Sequence, residues 1–520
     1  MTHTARLGVL YVSLSIFGCS SRPAGLPLCP AVRQAQHMLP YQVDLLFMVD
    51  NTEQQEQVNL AQSFPKMLEA LRSPRLGGPR CTAANRQACP IPDLHVGVVS
   101  SDLGAGSYSL PSCEVQGGDG GKLQRTPRRP GCPAPSDPWV SYQDGVTNVP
   151  SPNPDLVEQV SEAFQCIAEL GAGGCGFEHQ LESVKRALEG CGVPDYSCTV
   201  NPGFARRGSL LAVFWETDED DCSAQKGQLF DPSQQGLDDP LGPLTSFRCT
   251  ELGLRCDEPL REPGIKHNCA PGGDWLYPVQ RYVDFFKGVR PPGHVLLSAL
   301  AGPTNPDRTL EIVREGSNVG QRPTCQSING TAVPGIRIKA VVDAFGAAGH
   351  FNQGIDPAGQ SVEVSVCSVD YSPALRLLGQ AIRERVGRTC LGATLTTAGT
   401  VACREGDELA TGVRCDEGCL EQADCVVTEP PEDSGAEVPR CPVELFDPAV
   451  TSCGATCPCW RIVPSPDCQR DLEGGPYALE VLGPAPASGT RRARCATTSV
   501  RWGSSSLAAL PRCGQRLSCL

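Results

Sequence analysis

Three stretches of this chain are apolar almost without a break: VDLLFMV at 43–49, LHVGVVSS at 94–101 and SLLAVFWET at 209–217. A strand wetted on one side alternates, whereas a continuous apolar run marks a strand covered on both faces, as in a parallel sheet lying between helices. Helical spacing fills the intervals. EQQEQVNLAQSFPKMLEALRS carries Leu60, Phe64, Met67, Leu68 and Leu71 on one face, with Pro65 expected to kink or split it. Asn153 is placed to cap a helix with Pro154 at its first position and Leu156, Val160, Phe164 and Ile167 inside. Further helices are expected over about 177–188, over 276–287 with Val279, Tyr282, Val283 and Phe286 on one side, and after Ser372, which caps Leu375, Leu378 and Ile382. HVLLSALA at 294–301 reads as another strand, and 336–345 is apolar without a decisive period. Strands alternating with helices predict an α/β fold, a doubly wound and mostly parallel Rossmann-like sheet.

Cysteine sets the compartment. The 29 cysteines, against 4 methionines, belong where disulfides persist. Leu7 to Gly18 is an apolar run shorter than the ~20 residues that span a bilayer, so 1–18 reads as a secretory signal peptide. It ends Ile16-Phe17-Gly18-Cys19, which resembles a bacterial lipobox and makes Cys19 the expected lipidation site. Removing Cys19 leaves an even number of cysteines, as full pairing requires. Ser20 and Ser21 follow, with no Asp to hold a lipoprotein at the inner membrane, so the expected location is the outer membrane, periplasmic or surface-exposed.

At 520 residues the chain is long enough for more than one core. The reading divides it into a tether at 19–40, an α/β domain at 41–388 and a small cysteine-rich, β-rich module at 389–520. The domain carries insertions near 103–152, bearing Cys113 and Cys132, and near 222–274. A net charge of −14 argues against nucleic acid as a partner. No HExxH, GxSxG or phosphate-cradling glycine loop occurs, and no enzyme activity is expected. The spacings Cys415–Cys419 and Cys453–Cys457–Cys459 would suit zinc, but with no histidine alongside in an exported chain they read as disulfide cysteines.

Two strand ends carry the chemistry. The first gives Asp50-Asn51-Thr52-Glu53-Gln54 and the second gives Glu216-Thr217-Asp218-Glu219-Asp220-Asp221. In open parallel sheets, ligands bind beyond the carboxyl ends of the strands, where strand order reverses. Oxygen-rich turns meeting there suit a hard divalent cation. Residues 50, 52 and 54 alternate, so all three can face inward. The run 219–221 reads as a solvated loop, and His179 as a solvent-facing helix residue.

VDLLFMVDNTEQQ taken with LLAVFWETDEDD resembles the von Willebrand factor A-type domain, in the form found in cysteine-rich bacterial lipoproteins. The resemblance covers about 41–388. It implies an adhesion site in which a magnesium or other divalent cation is held by Asp50, Thr52 and Asp218. Gln54 stands where the family has a second serine. Glu178 offers an oxygen in the loop GAGGCGFEHQL, where the family has a threonine. The function implied is cation-assisted binding of a protein ligand by a lipid-anchored envelope protein. The alternatives are an extracytoplasmic metal-dependent hydrolase using 216–221, or a structural lipoprotein with an inactive site.

Overall fold

The computed structural model describes residues 41–387, apart from 53, 74–75, 77–84, 112, 114, 144, 193–196, 207, 291–292 and 317, together with short segments at 32–37 and between 389 and 497. The signal peptide and Cys19 lie outside the described residues.

Seven strands form one sheet. In chain order they are β1 (Gln42–Val49), β2 (Asp93–Ser100), β3 (Val140–Gln143), β4 (Val146–Thr147), β5 (Leu210–Glu216), β6 (Val295–Leu300) and β7 (Gly349–Phe351), arranged as β7-β6-β5-β1-β2-β3-β4. The five strands from β7 to β2 run parallel, and β3 and β4 add antiparallel pairs at one edge. The sheet is therefore mixed, mostly parallel, and covered by helices. Strand order reverses at β1, because the chain leaves it toward β2 and later returns to its other side as β5. Register aligns Val49 with Ser100 on one side and Glu216 on the other, so the three strand ends are flush.

Helices cover both faces. On one lie α1 (Gln54–Leu71), α2 (Leu156–Ala168) and α7 (Ser372–Glu384), packed on Val43, Leu45, Phe47 and Val49. On the other lie α3 (Gln180–Ala187), α5 (Gln280–Val289) and α6 (Ile336–Asp343), packed on Leu46, Met48, Val213 and Trp215. The first face centres on four phenylalanines. Phe64 stacks on Phe164 at 3.8 Å between ring centroids, and Phe47 contacts Phe164 at 4.6 Å and Phe214 at 5.4 Å. Each ring contributes about 1.5–3 kcal/mol through burial.

Several expectations need correction. Pro65 lies inside one uninterrupted α1. The backbone bond it removes is outweighed by burial of Phe64, Met67, Leu68 and Leu71 on either side of it. The cap of α2 is Asp155, whose carboxylate accepts from Val157 N and Glu158 N at 2.9 and 3.2 Å, while Asn153 accepts from Asp155 N one step upstream. The insertion at 103–152 ends by adding β3 and β4 to the sheet. Val32–His37, within the expected tether, pairs antiparallel with Arg492–Thr497.

Disulfides tie both insertions down. Cys113–Cys175 and Cys132–Cys166 hold the first; Cys222–Cys249 and Cys256–Cys269 hold the second, which also contains α4 (Phe247–Gly253). Cys459 pairs with Cys441, so it is not available to a zinc knuckle. Cys415, Cys453 and Cys457 fall outside the described residues.

The amino end of the sheet is closed by charge. Asp44, buried on β1, pairs with Arg206 at 2.8 Å and Arg290 at 3.6 Å and accepts a hydrogen bond from Ser209. The acid at the other end of β1 is treated differently.

Candidate metal centre

Alternation along the strands decides what faces what. On β1, Leu46 and Met48 point toward α3, and Asp50 continues that face; on β5, Leu211, Val213 and Trp215 do the same and Thr217 follows them. The flush register then sets Asp50 and Thr217 side by side, with Thr217 Oγ1 donating to Asp50 Oδ2 at 2.7 Å.

Glu178 arrives from the turn before α3. Gly174 N donates to Asn51 O at 2.9 Å, drawing the 171–176 turn onto the end of β1. The approach is close: a Cβ on residue 174 would stand 2.3 Å from Asn51 Oδ1 and would have to displace that side chain. His179 N donates to Ser101 O and Cys222 N to Glu178 O, both at 2.8 Å, so β2 and the β5 loop fix Glu178 from two sides. Gln57 of α1 completes the frame, donating to Asp50 O at 2.6 Å and accepting from Gly171 N at 2.8 Å.

Carboxylate oxygens of Asp50, Glu178 and Asp218 all lie within 4.8 Å of one another. This acidic triad could hold a metal ion. Asp50 and Glu178 are buried, and Asp218 is half-buried. Two threonine hydroxyls bridge the buried pair. Thr52 Oγ1 is 2.8 Å from both Asp50 Oδ1 and Glu178 Oε1, while Thr217 Oγ1 reaches Asp50 Oδ2 and, at 3.3 Å, Glu178 Oε2. Gln180 Nε2 donates to Glu178 Oε2 at 2.9 Å and to Thr217 Oγ1 at 3.1 Å. Asp50 and Glu178 are thus held by hydroxyls and amides, with no lysine or arginine paired to either among the described residues, in contrast to Asp44.

Burial first, and then the charge of Asp50, hold the Glu178 carboxyl well above its ordinary range. A hydroxyl has one proton to give, so Thr52 cannot donate to both carboxyls. Burial likewise raises Glu216, which points to the α1 side near Glu56, with the charges of Asp50 and Asp218 adding to the shift. Glu219 and Asp220 are each raised to about 7, chiefly by burial.

Of the residues singled out from sequence, the structure brings Asp50, Thr52, Glu178 and Asp218 together. Gln54 opens α1 and is exposed, outside this set of contacts, because the helix begins there and turns its side chain away. The acidic run is not a solvated loop. Asp221 is buried, accepting from Leu181 N at 2.9 Å and pairing with Arg337 at 3.1 Å. Asp220 accepts from Arg337 N at 2.9 Å, at the start of α6. His179 is buried at the start of α3 against Phe230, ring centroids 5.6 Å apart. Burial and Arg186 lower its pKa to about 4. Thr217, Gln57 and Gln180 were not singled out. The two-residue period of β5 was the signal for Thr217; the glutamines left none.

No protein-family model matches the sequence, and no curated protein matches it significantly.

Proposed function

We propose that this chain is an envelope lipoprotein, anchored through Cys19, whose α/β domain is of the von Willebrand factor A type and binds a protein ligand with the help of a divalent cation at Asp50, Glu178 and Asp218. The observation that carries this reading is the convergence of three carboxylates within 4.8 Å at the carboxyl edge of the sheet, beside the strand where order reverses. The donor set fits a hard cation, being oxygen only, with two hydroxyls beside the carboxylates. A bound magnesium ion would supply a positive charge able to accept an acidic group from a partner.

The chain's own residues do the rest. Gln57 and the Gly174 turn hold the frame. Thr52 and Thr217 orient the carboxylates. Asp218 and Thr52, half-buried, form the approach from solvent. No lysine or arginine pairs with Asp50 or Glu178 among the described residues, and a bound cation would supply the charge that balances them.

Calorimetric titration of the purified chain with magnesium or manganese tests the reading. Saturable binding is expected, abolished by Asp50→Asn in a protein whose far-ultraviolet circular dichroism is unchanged. No binding by the native chain, or full binding by the variant, would remove the cation from the function.

A further inference from the structure

A cleft of about 220 Å3 opens beside the acidic loop, walled by residues 219–220, by the segment entering α4 and by Asn318–Gln321, one strand of a hairpin with Leu310–Glu315. Its polar lining includes Glu219, Ser246, Asn318 and Gln321, and among the described residues no lysine or arginine lines it. Asp220 also borders the cleft, but its carboxylate is spent on the backbone N–H groups of Arg337 and Ile338. Glu219 is the acid that remains, and it lines the cleft together with Ser246. The side-chain nitrogen and oxygen of Gln321 are both buried and make no hydrogen bond among the described residues.

With no lysine or arginine among the described lining residues, the Glu219 carboxylate favours a ligand carrying positive charge and N–H donors and repels anions. The cleft also adjoins the carboxylate triad. Glu219 follows Asp218 in the chain, and Val333, another lining residue, donates its N–H to Asp218 O at 2.9 Å.

We infer that this cleft binds the guanidinium or ammonium group of a basic side chain, one standing next to an acidic residue on the partner. The acidic half of that description rests on the cation-dependent binding proposed above; the basic half stands on the cleft alone. A partner surface with adjacent residues of opposite charge is thereby selected over one of a single sign.

The test uses agmatine as the guanidinium probe, titrated calorimetrically into the full chain in EDTA, so that failure of the cation reading leaves the outcome untouched. Saturable binding is expected, weakened about tenfold or more by Glu219→Gln and not displaced by glucose or acetate. Asn318→Asp, at an exposed residue of the cleft wall, adds a second carboxylate and is expected to tighten binding, which keeps the experiment decisive if Glu219→Gln fails to fold. Absence of saturable binding overturns the inference. So does displacement by glucose or acetate, or binding that Asp50→Asn abolishes, which would put the probe among the triad instead.

Discussion

The hydroxyl of Thr217 reaches Asp50 Oδ2 at 2.7 Å, and this hydrogen bond joins the carboxyl ends of the two strands between which the sheet changes direction. Thr217 is not a carboxylate, yet it touches both buried members of the triad and receives an N–H from Gln180.

Thr217→Val keeps the shape of the side chain and deletes that link. The variant is expected to lose about 1–3 kcal/mol, the cost of leaving buried polar groups without a partner, and to bind manganese more weakly although no carboxylate has been removed. Urea denaturation and manganese titration measure the two effects. A stability change within about 0.5 kcal/mol, the range of an ordinary surface substitution, would mean that the hydroxyl does not hold the site.

Phe164→Ala opens a cavity between Phe64 and Phe47 and is expected to cost about 3–5 kcal/mol. Ile265→Ala, at a side chain 60% exposed, should stay within about 0.5 kcal/mol of the native chain. Equal losses in the two variants would contradict the packing of α1 and α2 against β1.

The Cys113–Cys175 bond closes a span of 62 residues, and chain-entropy arguments assign a crosslink of that length about 4 kcal/mol. Cys175 stands three positions before Glu178. The double variant Cys113→Ser with Cys175→Ser should therefore lose stability and manganese affinity together, whereas loss of Cys256–Cys269, far along the second insertion, should spare the affinity.

His95 gives a pH signature. It is buried, its Nδ1 is 2.7 Å from Phe204 O, and burial followed by the charge of Arg206 lowers its pKa below the ordinary 6.5. The unfolded chain then binds more protons than the folded one as pH drops below 6.5, so this contribution is complete above that pH and fades beneath it. Glu219 and Asp220, raised to about 7, act in the opposite direction, since the folded chain holds their protons more tightly. The difference between native protein and His95→Gln isolates the histidine. Denaturation midpoints measured from pH 5 to pH 8 should diverge toward neutrality and converge toward acid, and a constant offset would contradict the assignment.

The core of the fold was legible because it is written in unbroken apolar runs: β1, β2, β5 and β6 all lie within a residue or two of their expected bounds. The short strands were not legible. β7 is three residues long, too short for any period, and β3 and β4 sit in a stretch whose Gly and Pro content reads as loop. Caps shifted for a local reason: Asn153 and Asp155 are both good caps, and spacing alone could not say which begins the helix. At the site, Asp50, Thr52 and Asp218 stood out because oxygen donors ended apolar strands. Glu178 was visible only through its place in the glycine turn. The acids at 220 and 221 were misread because their partners, Arg337 and the α3 amides, come from elements distant in sequence. Gln54 was misplaced because alternation was carried past the point where α1 starts.

Both margins of the sheet are short. β4 offers two residues at one side and β7 three at the other, too few to template an added strand. A second chain therefore gains little by extending this sheet, which disfavours edge-to-edge aggregation and domain exchange. The partner binding proposed above is thereby left to the rim of loops above the strand ends, where the composition of those loops, and not backbone complementarity, decides what can dock.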